Sequence, residues 1–251
     1  SSSGGVPTYS RPQCVGPISV KDLKPLEVDL QNFKDALSAS EATDAFMNAA
    51  SPGVIAQFQP NQHYPDHSSY LYALADAMKV EYEGIAEAGL VIQIDSPDLA
   101  LGRHVLFKDQ SDEEFVTMAE LHIEALNHAL QNIPAEQLRL HVCWGNYQGP
   151  HHCDIEMKKI LPAVLKAKPM ALSFEGANPR HSHEWSVFRD AKIPENKVLI
   201  PGVLDSTTNF VEHPELVAER ICRFADIVGR ERVIAGSVSY THLRAHETAY
   251  Y

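Results

Sequence analysis

Side chains with metal-binding chemistry end two successive β-type segments of the chain. His141 and Cys143 lie two residues apart in segment 138–143, so on a strand both side chains point to the same face. Glu175 ends the next β-type segment, 170–175, at the equivalent height. Zn²⁺ accepts nitrogen, sulfur and oxygen ligands of these types in a tetrahedral site. The pattern predicts a zinc site, and the alternative is a buried cysteine beside a hydrogen-bonded histidine.

Two further β-type segments end in aspartate. Asp95 follows the mostly apolar run 91–94 and precedes a turn. Its carboxylate either holds a substrate ammonium group or caps that turn. Asp205 follows segment 198–204 in the same way and either orients a ligand or caps the chain beyond it. Both positions are therefore candidate site residues with a structural alternative.

The loop after Glu175 carries two histidines, His181 and His183. Imidazole titrates near neutral pH, so both are candidates for substrate binding or proton transfer. The chain is acidic and has 13 histidines, so the alternative is that these two are surface residues.

Short β-type runs alternate with longer amphipathic stretches, and this alternation predicts a parallel α/β sheet. The predicted strands are 53–58, 90–95, 138–143, 170–175, 198–204 and 232–237. The predicted helices are 29–49, 68–88, 113–130, 154–166 and 214–228. In a (β/α)8 barrel the active site is built from the carboxyl ends of the strands, which is where the candidate residues lie.

Composition limits the class of protein. The 251 residues are 44% hydrophobic and 22% charged, which is typical of a globular chain the size of one barrel. The formal net charge is −12 without a cluster of Lys and Arg, so nucleic acid is not an expected partner. No apolar run approaches a membrane span, and the Ser- and Gly-rich opening lacks the regions of a signal peptide, so we expect a cytoplasmic protein without a membrane partner. Four scattered cysteines are too few for a disulfide framework.

The ordered set of strand-end motifs resembles a known family. The motifs are His141-x-Cys143, Glu175, Ile92-Gln93-Ile94-Asp95-x-Pro97 and Gly202-Val203-x-Asp205. Over about residues 14–237 they resemble the catalytic domain of cobalamin-independent methionine synthase and its single-domain relatives, which include epoxyalkane:coenzyme M transferase. The resemblance implies a (β/α)8 TIM barrel in which zinc activates the sulfur of a small-molecule thiol, and this sulfur attacks an alkyl donor.

The resemblance also implies roles for individual residues. His141 and Cys143 correspond to the first two zinc ligands, Glu175 to the third, and Asp95 to the carboxylate that binds the amino group of homocysteine. Zinc lowers the pKa of a thiol, so that thiolate exists at neutral pH. The implied function is zinc-dependent transfer of a methyl or alkyl group to a thiol, as in the 5-methyltetrahydrofolate–homocysteine methyltransferases of methionine biosynthesis.

The chain departs from the family pattern at three places. The family's fourth ligand is a cysteine in an Asp-Cys-Gly segment, whereas here 235–238 reads Ala-Gly-Ser-Val. Thr207 stands where the family has a histidine proton donor, and segment 57–61 lacks the tryptophan that stacks on the pterin. Asn61 and Tyr64, which follow the first predicted strand, are candidates to bind the donor instead. The residues present therefore support the part of the site that would activate the thiol better than the part that would bind the methyl donor.

The sequence divides into a predicted barrel domain and a C-terminal tail that is not predicted to belong to it. Residues 1–237 are predicted to form a partial TIM barrel with strands three to eight, and 238–251 resembles a translated sequencing adapter, which indicates a non-native tail.

Three alternatives to the methionine synthase function stay open. They are a thiol alkyltransferase of the coenzyme M type, a metal-independent barrel similar to uroporphyrinogen decarboxylase with Asp95 and Arg180 as substrate contacts, and an inactive fragment.

Overall fold

Six parallel strands form one sheet, and their order in the sheet is their order along the chain. The computed structural model describes residues 12–145, 150–205, 208 and 210–237. The strands are β1 (Phe46–Ala50), β2 (Val91–Asp95), β3 (Leu138–Val142), β4 (Ala171–Glu175), β5 (Val198–Leu204) and β6 (Gly236–Ser237). Sequential parallel strands joined by helices are the arrangement of a (β/α)8 barrel. The predicted fold class, an incomplete barrel of this type, is confirmed.

Helices connect the strands. They are α1 (Lys24–Ser38), α2 (Pro52–Phe58), α3 (His67–Glu87), α4 (Leu101–Val105), α5 (Asp112–Ala129), α6 (Met157–Val164), α7 (Trp185–Asp190) and α8 (Pro214–Val228). The predicted bounds of α8 are confirmed, and those of α3 and α5 are displaced by one residue at each end. Within the described residues, no helix combines the length and the apolarity needed to cross a membrane.

The prediction was wrong between residues 29 and 58. The predicted helix 29–49 ends at Ser38, and its last part is the strand β1, which pairs with β2 along its whole length. The predicted strand 53–58 is the helix α2. Ser51 explains this helix, because its hydroxyl accepts a hydrogen bond from Val54 N at 3.0 Å and Pro52 fills the first turn, where no N–H is needed.

Two other predicted elements are shorter than expected. The strand predicted over 232–237 is reduced to β6, preceded by a single bridge between Leu199 and Val233 and by a 3-10 turn at Arg230–Arg232. The helix predicted over 154–166 begins only at Met157, where the side chain of Glu184 accepts from the main-chain N–H at 2.6 Å. The number of strands and their parallel order are nevertheless as predicted.

The register gives the sheet one apolar and one polar face. The apolar side chains are at most 3% exposed and belong to the core shared with the helices: Ile92, Ile94, Leu140, Val142, Leu172 and Phe174. The alternate residues form the polar face: Asn48, Gln93, Asp95, Arg139, His141, Ser173 and Glu175. Burial of the apolar face, at about 25 cal/mol per Å², fixes the register, because a shift by one residue would exchange the two faces.

Candidate functional site at the carboxyl ends of the strands

The carboxyl ends of β2, β3 and β4 bring four predicted site residues to one edge of the sheet. Asp95 pairs with His141 in the register of β2 and β3. The β3–β4 ladder ends one residue before Cys143 and Glu175, so these two residues follow at the same level. Paired residues of neighbouring strands point to the same face about 5 Å apart. The three predicted zinc ligands and Asp95 therefore share one edge.

The Glu175 carboxylate is 4% exposed and is held from two sides. Its Oε1 accepts from the main-chain N–H of Trp144 at 3.1 Å, and its Oε2 accepts from the side-chain amide of Asn178. Burial raises the pKa of Glu175, although the Trp144 hydrogen bond and the nearby charges of His181 and Arg180 oppose the shift. A carboxylate has about four lone-pair positions, so both oxygens keep capacity for another ligand.

Cys143 is a buried thiol, 7% exposed, next to this carboxylate. Burial, and then the negative charge of Glu175, raise the pKa of Cys143 to about 12. The thiol is therefore protonated at neutral pH as long as no cation lies beside it. A divalent cation would reverse this preference, because it stabilises a coordinating thiolate.

His141 is oriented by a neighbouring strand. Its Nδ1 lies 3.1 Å from the hydroxyl of Ser173, and burial lowers the pKa of the imidazole. The ring is therefore neutral at pH 7, and the hydrogen bond at Nδ1 leaves Nε2 as the nitrogen for a metal. Such a hydrogen bond at the second nitrogen is usual for histidines that bind metals.

The donor set fits zinc in its chemistry. Among the residues that the structure describes, no three His, Cys, Asp or Glu side chains are close enough to form a preformed metal site. His141, Cys143 and Glu175 nevertheless supply nitrogen, sulfur and oxygen at adjacent strand ends, which are the ligand types of catalytic zinc sites.

Asp95 receives hydrogen bonds from the sheet. Asn48 Nδ2 donates to its Oδ2 at 3.1 Å, and Gln93 Nε2 donates to its Oδ1 at 3.0 Å. Both donors are neutral amides, and together they orient the carboxylate. The turn that follows, Pro97–Leu99, has no side-chain cap. The side chain of Asp95 therefore does not cap this turn, and its role in binding an ammonium group stays a prediction.

Asp205 lies directly after β5, partly buried. Its main-chain N–H donates to Glu212 Oε2 at 2.6 Å, and the other oxygen of Glu212 pairs with Arg220. Arg220 also donates to the carbonyl of Val203 at 2.8 Å, so this ion pair ties the loop to the end of the strand. Thr207, the position of the family's histidine, lies outside the described residues.

The two loop histidines have different surroundings. His181 is buried, with Nδ1 2.8 Å from Glu184 and Nε2 3.2 Å from Asp154. Burial opposes its charged form, but the hydrogen bonds to Asp154 and Glu184 outweigh it and raise the pKa of His181. Its ring stacks on Trp144 with centroids 3.8 Å apart. His183 is exposed on the 3-10 turn Ser182–Glu184.

Asn61 and Tyr64 lie after the helix α2 and not after a strand, so the premise for their prediction was wrong. Asn61 Oδ1 accepts from Tyr64 N at 2.8 Å, and its amide donates to Tyr64 O at 2.8 Å. The Tyr64 hydroxyl accepts from Ile18 N at 2.8 Å. The Asn61 side chain thus fixes the turn to Tyr64, and the Tyr64 hydroxyl contacts the segment at Ile18; a role of either residue in donor binding stays a prediction.

Several residues that orient the candidate side chains were missed in the sequence, Ser173 beside His141 among them. Asn48 was assigned to a helix, because the short apolar run around it over residues 46–50 does not distinguish a helix from a strand. Asn178 lies three residues after Glu175 in a loop already noted for its histidines. The main-chain N–H of Trp144 has no sequence signal, because any residue at that position would supply it.

Fold and site together define a class of protein. Parallel strands, crossover helices and donor residues at the carboxyl edge describe an α/β barrel protein whose candidate site occupies the edge where such barrels carry their active sites. Sequence comparison specifies the class further, since residues 17–235 match the family described as "cobalamin-independent synthase, catalytic domain". The chain belongs to the cobalamin-independent methionine synthase family.

Individual relatives agree. The chain is 27% identical over 234 residues to a methionine synthase of Saccharolobus solfataricus, an alignment that covers 91% of this chain and 60% of the relative. It is 28% identical over 144 residues to a methionine synthase of Sulfurisphaera tokodaii, covering 57% of this chain and 37% of the relative. A structure of a B12-independent methionine synthase from Shewanella sp. W3-18-1 in complex with selenomethionine matches with a TM-score of 0.68 at 18% identity, over 89% of this chain and 61% of that chain. The chain thus spans at most about 60% of the curated relatives described here.

Proposed function

We propose that this chain carries the thiol-activating site of a methyltransferase of the methionine synthase type, which transfers a methyl group to the sulfur of homocysteine. The observation that carries the proposal is the arrangement of His141, Cys143 and Glu175 on one face at adjacent strand ends. Membership of the cobalamin-independent methionine synthase family supports methyl transfer as the reaction.

His141, Cys143 and Glu175 are the residues that would hold a zinc ion. His141 would use Nε2, since its Nδ1 contacts Ser173. When bound, zinc would lower the pKa of a coordinated substrate thiol, so that the thiol loses its proton at neutral pH. Glu175 contributes negative charge, and its hydrogen bonds to Trp144 and Asn178 keep it at this position.

Asp95 is proposed to bind the ammonium group of homocysteine. Its carboxylate is held by Asn48 and Gln93, both neutral, and lies at the level of His141 in the sheet. A substrate with an amino group and a thiol could then place its ammonium at Asp95 and its sulfur toward Cys143. Recognition at both ends positions the sulfur for attack on a methyl donor.

The methyl-donor half is proposed from the family alone. Catalytic roles for Asp205, His181 and His183 stay predictions, and the contacts of His181 with Asp154 and Glu184 favour a role in fixing the loop over one in proton transfer. A folate or another small-molecule alkyl donor fits the family, and Asn61 and Tyr64 have no contact that selects among donors.

Zinc content tests the proposal. Purified wild-type chain is compared by elemental analysis with His141→Ala and Cys143→Ser, after dialysis against zinc and then against zinc-free buffer. Matched controls are His128→Ala and Cys222→Ser, which change an imidazole and a thiol outside the strand ends. We expect about one zinc per chain in the wild type and both controls, and much less in the two site variants. A wild type that retains no more zinc than the site variants would refute the proposal.

Substrate binding tests the role of Asp95 separately. With Co²⁺ in place of zinc, binding of homocysteine as a thiolate adds a sulfur-to-cobalt charge-transfer band. Asp95→Asn should weaken homocysteine binding and leave metal affinity unchanged, because the amide keeps the shape and removes the charge. Equal homocysteine affinity in wild type and Asp95→Asn would show that Asp95 does not bind the ammonium group.

A further inference from the structure

The side chain of Asn178 holds the carboxylate of Glu175 from the loop after β4. Its amide nitrogen donates to Glu175 Oε2. Its side-chain oxygen accepts from the main-chain N–H groups of Arg180 at 3.1 Å and of His181 at 2.9 Å. Asn178 is 1% exposed, so water does not compete for these contacts.

The contacts at the oxygen decide which way the amide points. Two main-chain N–H groups can donate only to an acceptor, so the side-chain oxygen of Asn178 must face Arg180 and His181. The amide nitrogen is then directed at Glu175. The fold of the loop thus presents a hydrogen-bond donor, and not an acceptor, to this carboxylate.

The opposite oxygen of Glu175 is held from another loop. Trp144 N donates to Oε1 at 3.1 Å, and the indole of Trp144 is itself fixed by a hydrogen bond from Nε1 to the carbonyl of Ile155 at 2.7 Å and by its stack on His181. One donor on each oxygen, from two loops, sets the side-chain torsions of Glu175. Each oxygen still has a lone pair that points elsewhere.

We propose that Asn178 is a positioning residue that holds Glu175 in the orientation needed to bind the metal. The inference rests on the proposed function, since it takes Glu175 as a zinc ligand. Partners of this kind, which orient a ligand, change metal affinity by about 10–100-fold when they are removed. The affinity for zinc, measured without any turnover, is therefore the quantity that Asn178 sets.

Two variants separate the contact with Glu175 from the fold of the loop. Asn178→Ser keeps a hydroxyl that can accept from the N–H groups two and three residues later, but it is too short to reach Glu175. Asn178→Ala removes both functions. Asn127→Ala is the matched control, because Asn127 also bridges main-chain groups, donating to Lys166 O at 3.0 Å and accepting from Lys168 N at 2.6 Å, away from the strand ends.

Zinc affinity is measured by competition with a chromophoric chelator, and folding is checked by circular dichroism. We expect Asn178→Ser and Asn178→Ala to bind zinc about 10–100-fold more weakly than the wild type, and Asn127→Ala to bind it equally well. In a Glu175→Ala background the change at Asn178 should have no further effect, because its action passes through Glu175.

Three results would overturn the inference. The first is an Asn178→Ser chain that binds zinc as tightly as the wild type. The second is a change at Asn178 that weakens zinc binding as much in the Glu175→Ala background as in the wild type. The third is loss of the fold by both Asn178 variants in zinc-free buffer. A wild-type chain that binds no zinc is a different result, because it refutes the proposed zinc site itself. Wild-type zinc binding with no effect of Asn178 refutes only the positioning role.

Discussion

Gly53 lies where α2 crosses a buried polar network. Ser51 Oγ donates to Asp98 Oδ1 at 2.6 Å, Asp98 Oδ2 lies 2.8 Å from His122 Nδ1, and His122 Nε2 lies 2.9 Å from His67 Nε2. A Cβ atom on residue 53 would lie 2.0 Å from Asp98 Oδ2 and 2.5 Å from His122 Nδ1. These distances are far below van der Waals contact, so Gly53→Ala must separate Asp98 from His122.

The magnitude follows from two opposing effects. In an open helix position, Gly→Ala stabilises a protein by about 0.5–1 kcal/mol. The side chains of Asp98 and His122 are each 3% exposed. Forcing a methyl group into such a packed site costs about 1–3 kcal/mol, and loss of the buried hydrogen bond between the two side chains costs about 1–3 kcal/mol more. The sum predicts that Gly53→Ala lowers the free energy of unfolding by about 1–5 kcal/mol. That is a large part of the 5–15 kcal/mol typical of a domain.

Urea denaturation followed by circular dichroism measures this loss. Gly16→Ala is the control, because no atom lies within 4 Å of a Cβ at that position, and we expect it to change stability by less than about 0.5 kcal/mol. In an Asp98→Ala background, Gly53→Ala should cost less than in the wild type, since the Asp98 atoms that the new Cβ would meet are removed. A Gly53→Ala chain as stable as the wild type would refute the reasoning.

Two further predictions concern titratable groups. Burial, and then the neighbouring His122, lower the pKa of His67 from 6.5 to about 4, so only the unfolded chain takes up this proton as the pH falls from 6.5 to 4. The free energy of unfolding, measured by urea denaturation, should be highest above about pH 6.5 and should decline toward pH 4. It should decline less in a His67→Gln variant, and identical pH profiles for the two chains would contradict this. Cys143, buried with its pKa raised to about 12, should resist iodoacetamide near pH 8 in zinc-free protein while the exposed Cys222 reacts, and equal labelling by mass spectrometry would contradict it.

Elements with one dominant local signal could be predicted from the sequence. The apolar run of β5 and the amphipathic pattern of α8, which begins with Pro214, gave the bounds that the structure has. The segment 29–58 failed because Phe46, Met47, Ala49 and Ala50 fit a helix face and a strand equally well. Pairing with β2, a contact distant in sequence, decides for the strand.

In the candidate site, too, some features have a local sequence signal and others depend on contacts distant in sequence. Each proposed ligand ends a strand, and a strand end can be recognised from the local pattern of apolar residues. Gln93 and Asn178 orient Asp95 and Glu175 from two and three residues away, but the second donor to each carboxylate comes from a distant part of the chain. Asn48 reaches Asp95 over 47 residues, and Trp144 N reaches Glu175 over 31. Such contacts depend on the register between strands, which no single segment encodes.

The register also explains why Asp95 changes from an ambiguous residue to a specific candidate. As part of an isolated segment, a carboxylate before Pro97 suits a turn cap as well as a ligand site. Once β1 is a strand, Asn48 pairs with Gln93 in the ladder, and both amides are brought to the oxygens of Asp95. These two hydrogen bonds orient the carboxylate of the half-buried Asp95 at the sheet edge. The proposed partner of this carboxylate is the ammonium group of a substrate, and Asp95→Asn tests the proposal because it removes the carboxylate while both neighbouring strands stay unchanged.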